Sequence, residues 1–103
     1  MKLYNIDYIP GAEIEALGLV KGSVVMSKHM GKDFMAGMKT LVGGEIKGYT
    51  EMLQEARAIA TKRMVDEAEA LGAEAVVNVR YTSPSLMQGA AEVTAYGTAV
   101  TIK

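Results

Sequence analysis

The sequence predicts an α+β fold in which helices cover one face of a mostly antiparallel three-stranded sheet. Two observations carry that prediction. Apolar residues recur with a period of two over 14–27, 75–82 and 90–102, the spacing of half-buried strands. Between the first and second of these stretches the period lengthens to that of a helix, over 32–42 and again over 51–71. The order strand, short helix, long helix, strand, strand makes a two-layer α+β domain.

The first strand draws its bulk from Val20, Val24, Val25 and Met26. On a period of two, Ala16, Gly18, Val20, Gly22, Val24 and Met26 share one face. Glycines in a strand mark a bend or a close approach by another backbone, and the residues leave both readings open. In the short helix, Phe34, Met35, Met38, Leu41 and Val42 form a single stripe. Asp33 suits the positive end of its dipole, and Gly43 and Gly44 stop it.

The long helix has Thr50 as its expected N-cap and Gly72 as its C-terminal stop. Leu53, Ala56, Ala60, Met64, Ala68 and Leu71 form its buried stripe, widened by Met52 and Ile59. The opposite face carries Glu55, Lys62, Asp66 and Glu69. Lys62–Asp66 and Arg63–Glu67 are spaced as i, i+4 pairs, each contributing about 0.2–0.5 kcal/mol at best. This is a solvated face.

In the second strand Ala75, Val77, Val79 and Tyr81 alternate with Val76, Asn78, Arg80 and Thr82. Residues 83–89 are turn chemistry. The last strand puts Ala91, Val93, Ala95, Gly97 and Ala99 on one face, small enough to lie under the Ala-rich helix. Glu92, Thr94, Tyr96, Thr98 and Val100 take the other face.

Composition narrows the function. The chain has 103 residues, enough for one domain. Eleven basic against twelve acidic residues give a net charge of −1, with no basic excess to hold a phosphate backbone. Nucleic acid is therefore not an expected partner. Cysteine is absent and His29 is the only histidine, so disulfides and thiolate chemistry are excluded, and a histidine triad would need that one ring. The N-terminus lacks the apolar run of about 7–15 residues of a secretory signal. No stretch approaches the ~20 apolar residues of a membrane span. No membrane partner and a cytoplasmic location are the expectations. One Phe, no Trp and many small residues make a thin core, which points to self-association.

Several groups could carry chemistry. Met26, His29 and Met30, with Met35 and Met38 beyond them, surround the only imidazole, and thioethers with imidazole suit Cu(I). Asp33 follows in the same connection. Met26, His29, Met30 and Asp33 are therefore the candidate metal ligands. The same methionines also fit as core fillers on a strand and a helix. Glu13, Glu15, Glu45 and Glu51 match no calcium-loop spacing. Gly43 and Gly48 have the first spacing of a phosphate loop, but Tyr49-Thr50 stands where Lys-Ser/Thr is needed. Tyr4, Tyr8, Tyr49, Tyr81 and Tyr96 could stack a flat ligand or line subunit boundaries. No nucleophile–base pair can be named, so an enzyme is not expected.

Leu41-Val42-Gly43-Gly44, Gly48-Tyr49 and Glu55-Ala56-Arg57, followed by the run Ala68-Glu69-Ala70-Leu71-Gly72-Ala73-Glu74-Ala75-Val76-Val77 and the closing Tyr96-Gly97-Thr98-Ala99-Val100, resemble the YbjQ-like proteins. That family is labelled as heavy-metal-binding, and the likeness covers about residues 15–102. The resemblance implies a dodecin-like β-α-β-β subunit in a homopentamer, sometimes stacked into a decamer. It implies no catalytic residues. Relatives run through Gly-Ala-Asn-Val before an Arg-Asp pair; here Ser27-Lys28-His29-Met30-Gly31-Lys32-Asp33 stands instead.

Two classes of function follow. One is a non-enzymatic homo-oligomeric ring that binds a metal ion or small ligand at subunit boundaries. The other is a structural or adaptor ring that binds another protein. In the first, the ligand pocket is expected between chains, lined by residues 27–33 or 43–49.

Overall fold

The computed structural model describes residues 1–27, 41–42, 45–87 and 90–103. Its elements are β1 (Lys2–Leu3), β2 (Ile14–Ser27), β3 (Leu41–Val42), β4 (Glu45–Ile46), α1 (Lys47–Ala70), β5 (Ala75–Thr82), β6 (Ser85–Met87) and β7 (Ala90–Ile102). The three long strands lie in the order β5-β7-β2, with β7 antiparallel to both of the others. Two short strands extend this sheet. β1 pairs parallel with β5, and β6 pairs antiparallel with β7. A separate two-stranded ladder joins β3 to β4.

The α+β class therefore holds, with more strands than the periodicity predicts. Strands of two or three residues are too short to show a period, and they exist because a neighbouring edge is there to pair with. Of the expected short helix at 32–42, residues 32–40 lie outside the described residues. Leu41 and Val42, assigned to it, form β3 instead. The turn expected at 83–89 contains β6, whose backbone groups find β7 beside them.

The long helix begins at Lys47, four residues ahead of the expected first residue Glu51, so Thr50 lies inside it and does not cap it. Its C-terminus follows expectation. Gly72 has φ 79. Its N–H donates to the Glu69 carbonyl at 2.9 Å, and the Ala73 N–H donates to the Ala68 carbonyl at 3.1 Å. Those two bonds are a Schellman stop, which needs the left-handed residue that glycine adopts without cost. Leu71, expected in the buried stripe, is 49% exposed because it falls beyond the last helical residue.

α1 lies chiefly over β2 and β7. Ala56, Ala60, Met64 and Ala68 are fully buried and Met52 almost so. They pack on Val20 and Val24 of β2, Val76 and Val79 of β5, and Val93, Ala95 and Ala99 of β7. The alanine stripe lets the helix sit low over the sheet. A Cβ on Gly22 would fall on the Ala60 carbonyl oxygen and the Met64 amide nitrogen, so close backbone approach is the correct reading of that glycine.

Two irregularities reset the predicted faces. In β2 the register slips between Ala16 and Gly18, so Ala16 is exposed rather than sharing a buried face with Val20. In β5 it slips between Val77 and Arg80, with Asn78 at φ 56. A bulge at Asn78 puts one extra residue on β5, and Val76 and Val79 share the helix side while Ala75 and Val77 face away. Strict alternation had placed Val79 with Ala75 and Val77.

The N-terminal segment closes over that second face at one end. Ile9, Ala75, Val77 and Val100 form a second small core, with Tyr4, Ala12 and Ile14 against it. The Asn78 N–H donates to the Ile6 carbonyl and the Val79 N–H to the Tyr4 carbonyl, both at 2.9 Å. Arg80 adds a bond from Nη1 to the Asn5 carbonyl at 2.7 Å. The bulge thus supplies donors that a regular strand would have turned elsewhere.

Candidate functional site

Of the four candidate metal ligands, Met26 is described. It sits next to the last residue of β2, half-buried and packed against the main core. That is the core-filler role its strand spacing allowed. His29, Met30 and Asp33 lie outside the described residues, as do Met35 and Met38. Among the described residues no three His, Asp or Glu side chains come together as a metal site.

The other candidates are dispersed. Glu13, Glu15 and Glu51 are exposed, and Glu15 is 4.0 Å from the Lys103 ammonium. Tyr81 turns to the helix side, its hydroxyl 2.8 Å from Thr61 Oγ1. Thr61 donates its own proton to the Arg57 carbonyl at 2.7 Å, so Tyr81 donates to Thr61. Tyr4 belongs to the second core, while Tyr8 and Tyr96 are exposed. With Tyr49 in α1, the five tyrosines are spread over the N-terminal segment, α1, β5 and β7.

What the structure does assemble is an open sheet face. Among the described residues, α1 covers one side of the sheet, and the N-terminal segment covers the other side at the Ala75–Val100 end alone. Beyond that end, Leu19 lies opposite Thr98, Lys21 opposite Tyr96, Ser23 opposite Thr94, and Val25 opposite Glu92. Leu19 is 68% exposed and Val25 59%. Ser23 and Thr94 share a hydroxyl–hydroxyl bond of 2.8 Å, which ties the two strands together on this face. Large apolar side chains here are mixed with hydroxyls and with the charged Lys21 and Glu92. Among the described residues, no three His, Asp or Glu side chains gather on this face.

The molecule is thin as well as open. Its Cα atoms extend over 53 × 26 × 18 Å, with a radius of gyration of 16.7 Å, where a compact domain of this length has about 13 Å. The length follows from the 14-residue β2 and 13-residue β7, each spanning about 40 Å at about 3.3 Å per residue. One helix cannot shield both sides of so long a sheet.

Periodicity missed the roles of Arg63 and Glu67. Their spacing suggested a mutual surface pair, but both reach the edge of β2. Arg63 Nη1 donates to the Ser23 carbonyl at 2.7 Å, and the Lys21 N–H donates to Glu67 Oε1 at 3.3 Å. The signal for this was Gly22, which lies between the two contacted residues and lets α1 come within reach. Lys62 and Asp66 form the expected exposed pair at 3.1 Å.

One long helix on a sheet of three long strands, with the far face open, defines a two-layer α+β protein without a recognisable catalytic constellation among the described residues. The chain belongs to the YbjQ family, whose model matches residues 1–103 and carries the description "Putative heavy-metal-binding". Similar proteins are known by the family name UPF0145. One from Clostridium novyi is 63% identical over 102 residues, covering 99% of each chain. Another from Helicobacter hepaticus is 61% identical, covering 99% of this chain and 98% of that one. A third from Thermotoga maritima is 58% identical, covering 100% and 98%. Among solved structures, a protein of unknown function of the DUF74 family from Pediococcus pentosaceus matches with a TM-score of 0.68. It is 15% identical, with 100% of this chain and 98% of that one covered, and it supports the fold alone. Among the described residues no helix is long and apolar enough to cross a membrane.

Proposed function

We propose that this protein is a non-enzymatic, homo-oligomeric module of the cytoplasm, a pentameric ring that holds a metal ion or small ligand at its subunit boundaries. The observation that carries the reading is the open sheet face bearing Leu19, Val25 and Tyr96. Exposed apolar area of this kind on a thin subunit is stabilised by covering it, at about 25 cal/mol per Å² buried. Copies of the same chain are the partner always at hand. The family description "Putative heavy-metal-binding" favours a metal as the ligand, and a ring places ligand-sized concave space between subunits, since a core this thin must fill itself with side chains.

Native mass spectrometry of the purified protein, with metal quantified on the same preparation, tests the reading. Five subunits with a bound mass are expected. A monomer at micromolar concentration that carries no metal or ligand would overturn it.

A further inference from the structure

The two cores of the subunit are built separately. Among the described residues they share no side chain: α1 packs on one face of the sheet, and Ile9 packs with Ala75, Val77 and Val100 on the other. Of residues 1–9, Ile9 is buried and Tyr4 half-buried, while Leu3, Ile6 and Tyr8 are exposed. One aliphatic side chain and part of one ring are the apolar anchors of this segment. Its polar anchors gather at the β5 bulge. Consecutive amides of a regular strand point to opposite sides. At the bulge the Asn78 and Val79 N–H groups both turn outward, to the Ile6 and Tyr4 carbonyls, and the Tyr4 N–H donates to the Val76 carbonyl at 2.9 Å. Arg80 Nη1 donates to the Asn5 carbonyl at 2.7 Å and to the Val79 carbonyl at 3.2 Å, so one guanidinium nitrogen bridges segment and strand. Between this segment and β2 stands a tight turn. The Ala12 N–H donates to the Ile9 carbonyl at 3.1 Å across Pro10 and Gly11, with Gly11 at φ 77, the residue order of a type II turn.

We propose that residues 1–9 are a strap that swings off the sheet as one unit about the Pro10-Gly11 turn, with Arg80 as its latch, while α1 and the three long strands stay in place. Opening breaks the β1–β5 pairing and the bonds at the bulge, and it leaves the side chains packed beneath α1 untouched. The freed Asn78 and Val79 amides pass to water, which satisfies them. The anchors lie together between Tyr4 and Ile9, so the loss of one loosens the rest, as in a local unfolding unit. Opening also uncovers Ala75, Val77 and Val100. Val100, Thr98 and Tyr96 alternate along β7 onto one face, so this apolar floor runs on into the open face. The strap thus sets how far the open face extends, whether or not that face carries the subunit contacts proposed above.

The chain has no cysteine, so one introduced thiol reports opening at a chosen place. Val77, 3% exposed beneath the strap, is compared with Val93, 0% exposed beneath α1, as Val77→Cys and Val93→Cys in the full-length protein, labelled with a small aromatic disulfide. Val77→Cys should label about tenfold faster than Val93→Cys or more. Adding Arg80→Ala should speed Val77→Cys about tenfold further, the effect of losing one hydrogen bond to a charged group, and leave Val93→Cys unchanged. Equal rates for the two thiols, or a Val77→Cys rate that Arg80→Ala does not alter, overturn the proposal. Acceleration of both thiols by Arg80→Ala overturns it too, since the strap then opens with the whole fold. Should either cysteine variant not fold, amide exchange decides. The Tyr4, Asn78 and Val79 amides should exchange about tenfold faster in Arg80→Ala than in wild type, all by the same factor, with the Met64 amide of α1 unchanged. Exchange of these three amides at the Met64 rate, or at wild-type rates in Arg80→Ala, overturns the proposal.

Discussion

Gly22 of β2 lies against Ala60 of α1 with no room for a side chain between them: a Cβ at position 22 would clash with the Ala60 carbonyl oxygen and also meet Arg63 Cβ at 2.7 Å. Helix and strand touch backbone to backbone there. The contact sets the height of the helix above the sheet, and with it the reach of Arg63 and Glu67 to the β2 edge.

Gly22→Ala should therefore destabilise the fold by about 1–3 kcal/mol, the range for forcing volume into a packed site. Denaturant titration monitored by circular dichroism checks it. A change smaller than the error of the measurement would mean that the helix can lift without penalty.

The β5 bulge makes a second demand. Asn78 has φ 56, and a Cβ on Gly97 across from it would lie 2.8 Å from both the Val77 carbonyl oxygen and Val76 Cγ1. Asn78→Val should cost about 1–2 kcal/mol, because a β-branched residue is strained in the left-handed region. Asn78→Gly should cost less than that. Thermal melts of the two variants give the order, and a Val variant as stable as the Gly variant would refute the bulge geometry.

Among the described residues, Met64 is the largest fully buried side chain. Met64→Ala should lose about 2–5 kcal/mol, combining lost transfer energy with the cavity left beneath α1. Met26→Ala, at a half-buried position near the end of β2, should lose clearly less. Equal losses would place Met26 deeper in the core than the structure has it.

Assembly through the open face predicts that Leu19→Glu/Val25→Glu shifts the protein to smaller species while the fold survives. Both side chains already face water, so the substitutions leave the core of the subunit untouched. Sedimentation velocity reads the result. A variant that keeps the wild-type sedimentation coefficient would place the subunit contacts elsewhere.

A soft-metal site beyond the end of β2 predicts that His29→Ala abolishes Cu(I) uptake with no change in the circular dichroism spectrum. Isothermal titration with Cu(I) and zinc checks it. A wild-type protein that takes up neither metal at tens of micromolar removes the metal from the proposed function.

The sequence by itself determined the three long strands, the long helix and its glycine stop, because each is written in a local period or a single residue's backbone preference. Ala56, Ala60, Met64 and Ala68 were legible as a buried stripe for the same reason, and Ala91, Val93, Ala95 and Ala99 as the face beneath it. Only the tertiary structure decided the rest. The Asn78 bulge reassigned Val79 because the docked residues Tyr4 and Ile6 offer carbonyls to the Val79 and Asn78 amides, a benefit no alternation rule contains. Strands β1 and β6 exist because longer strands lie beside them. Arg63 and Glu67, an ordinary surface pair by spacing, became ligands of the β2 edge because Gly22 admits the helix so closely, and that contact joins residues forty positions apart in the chain.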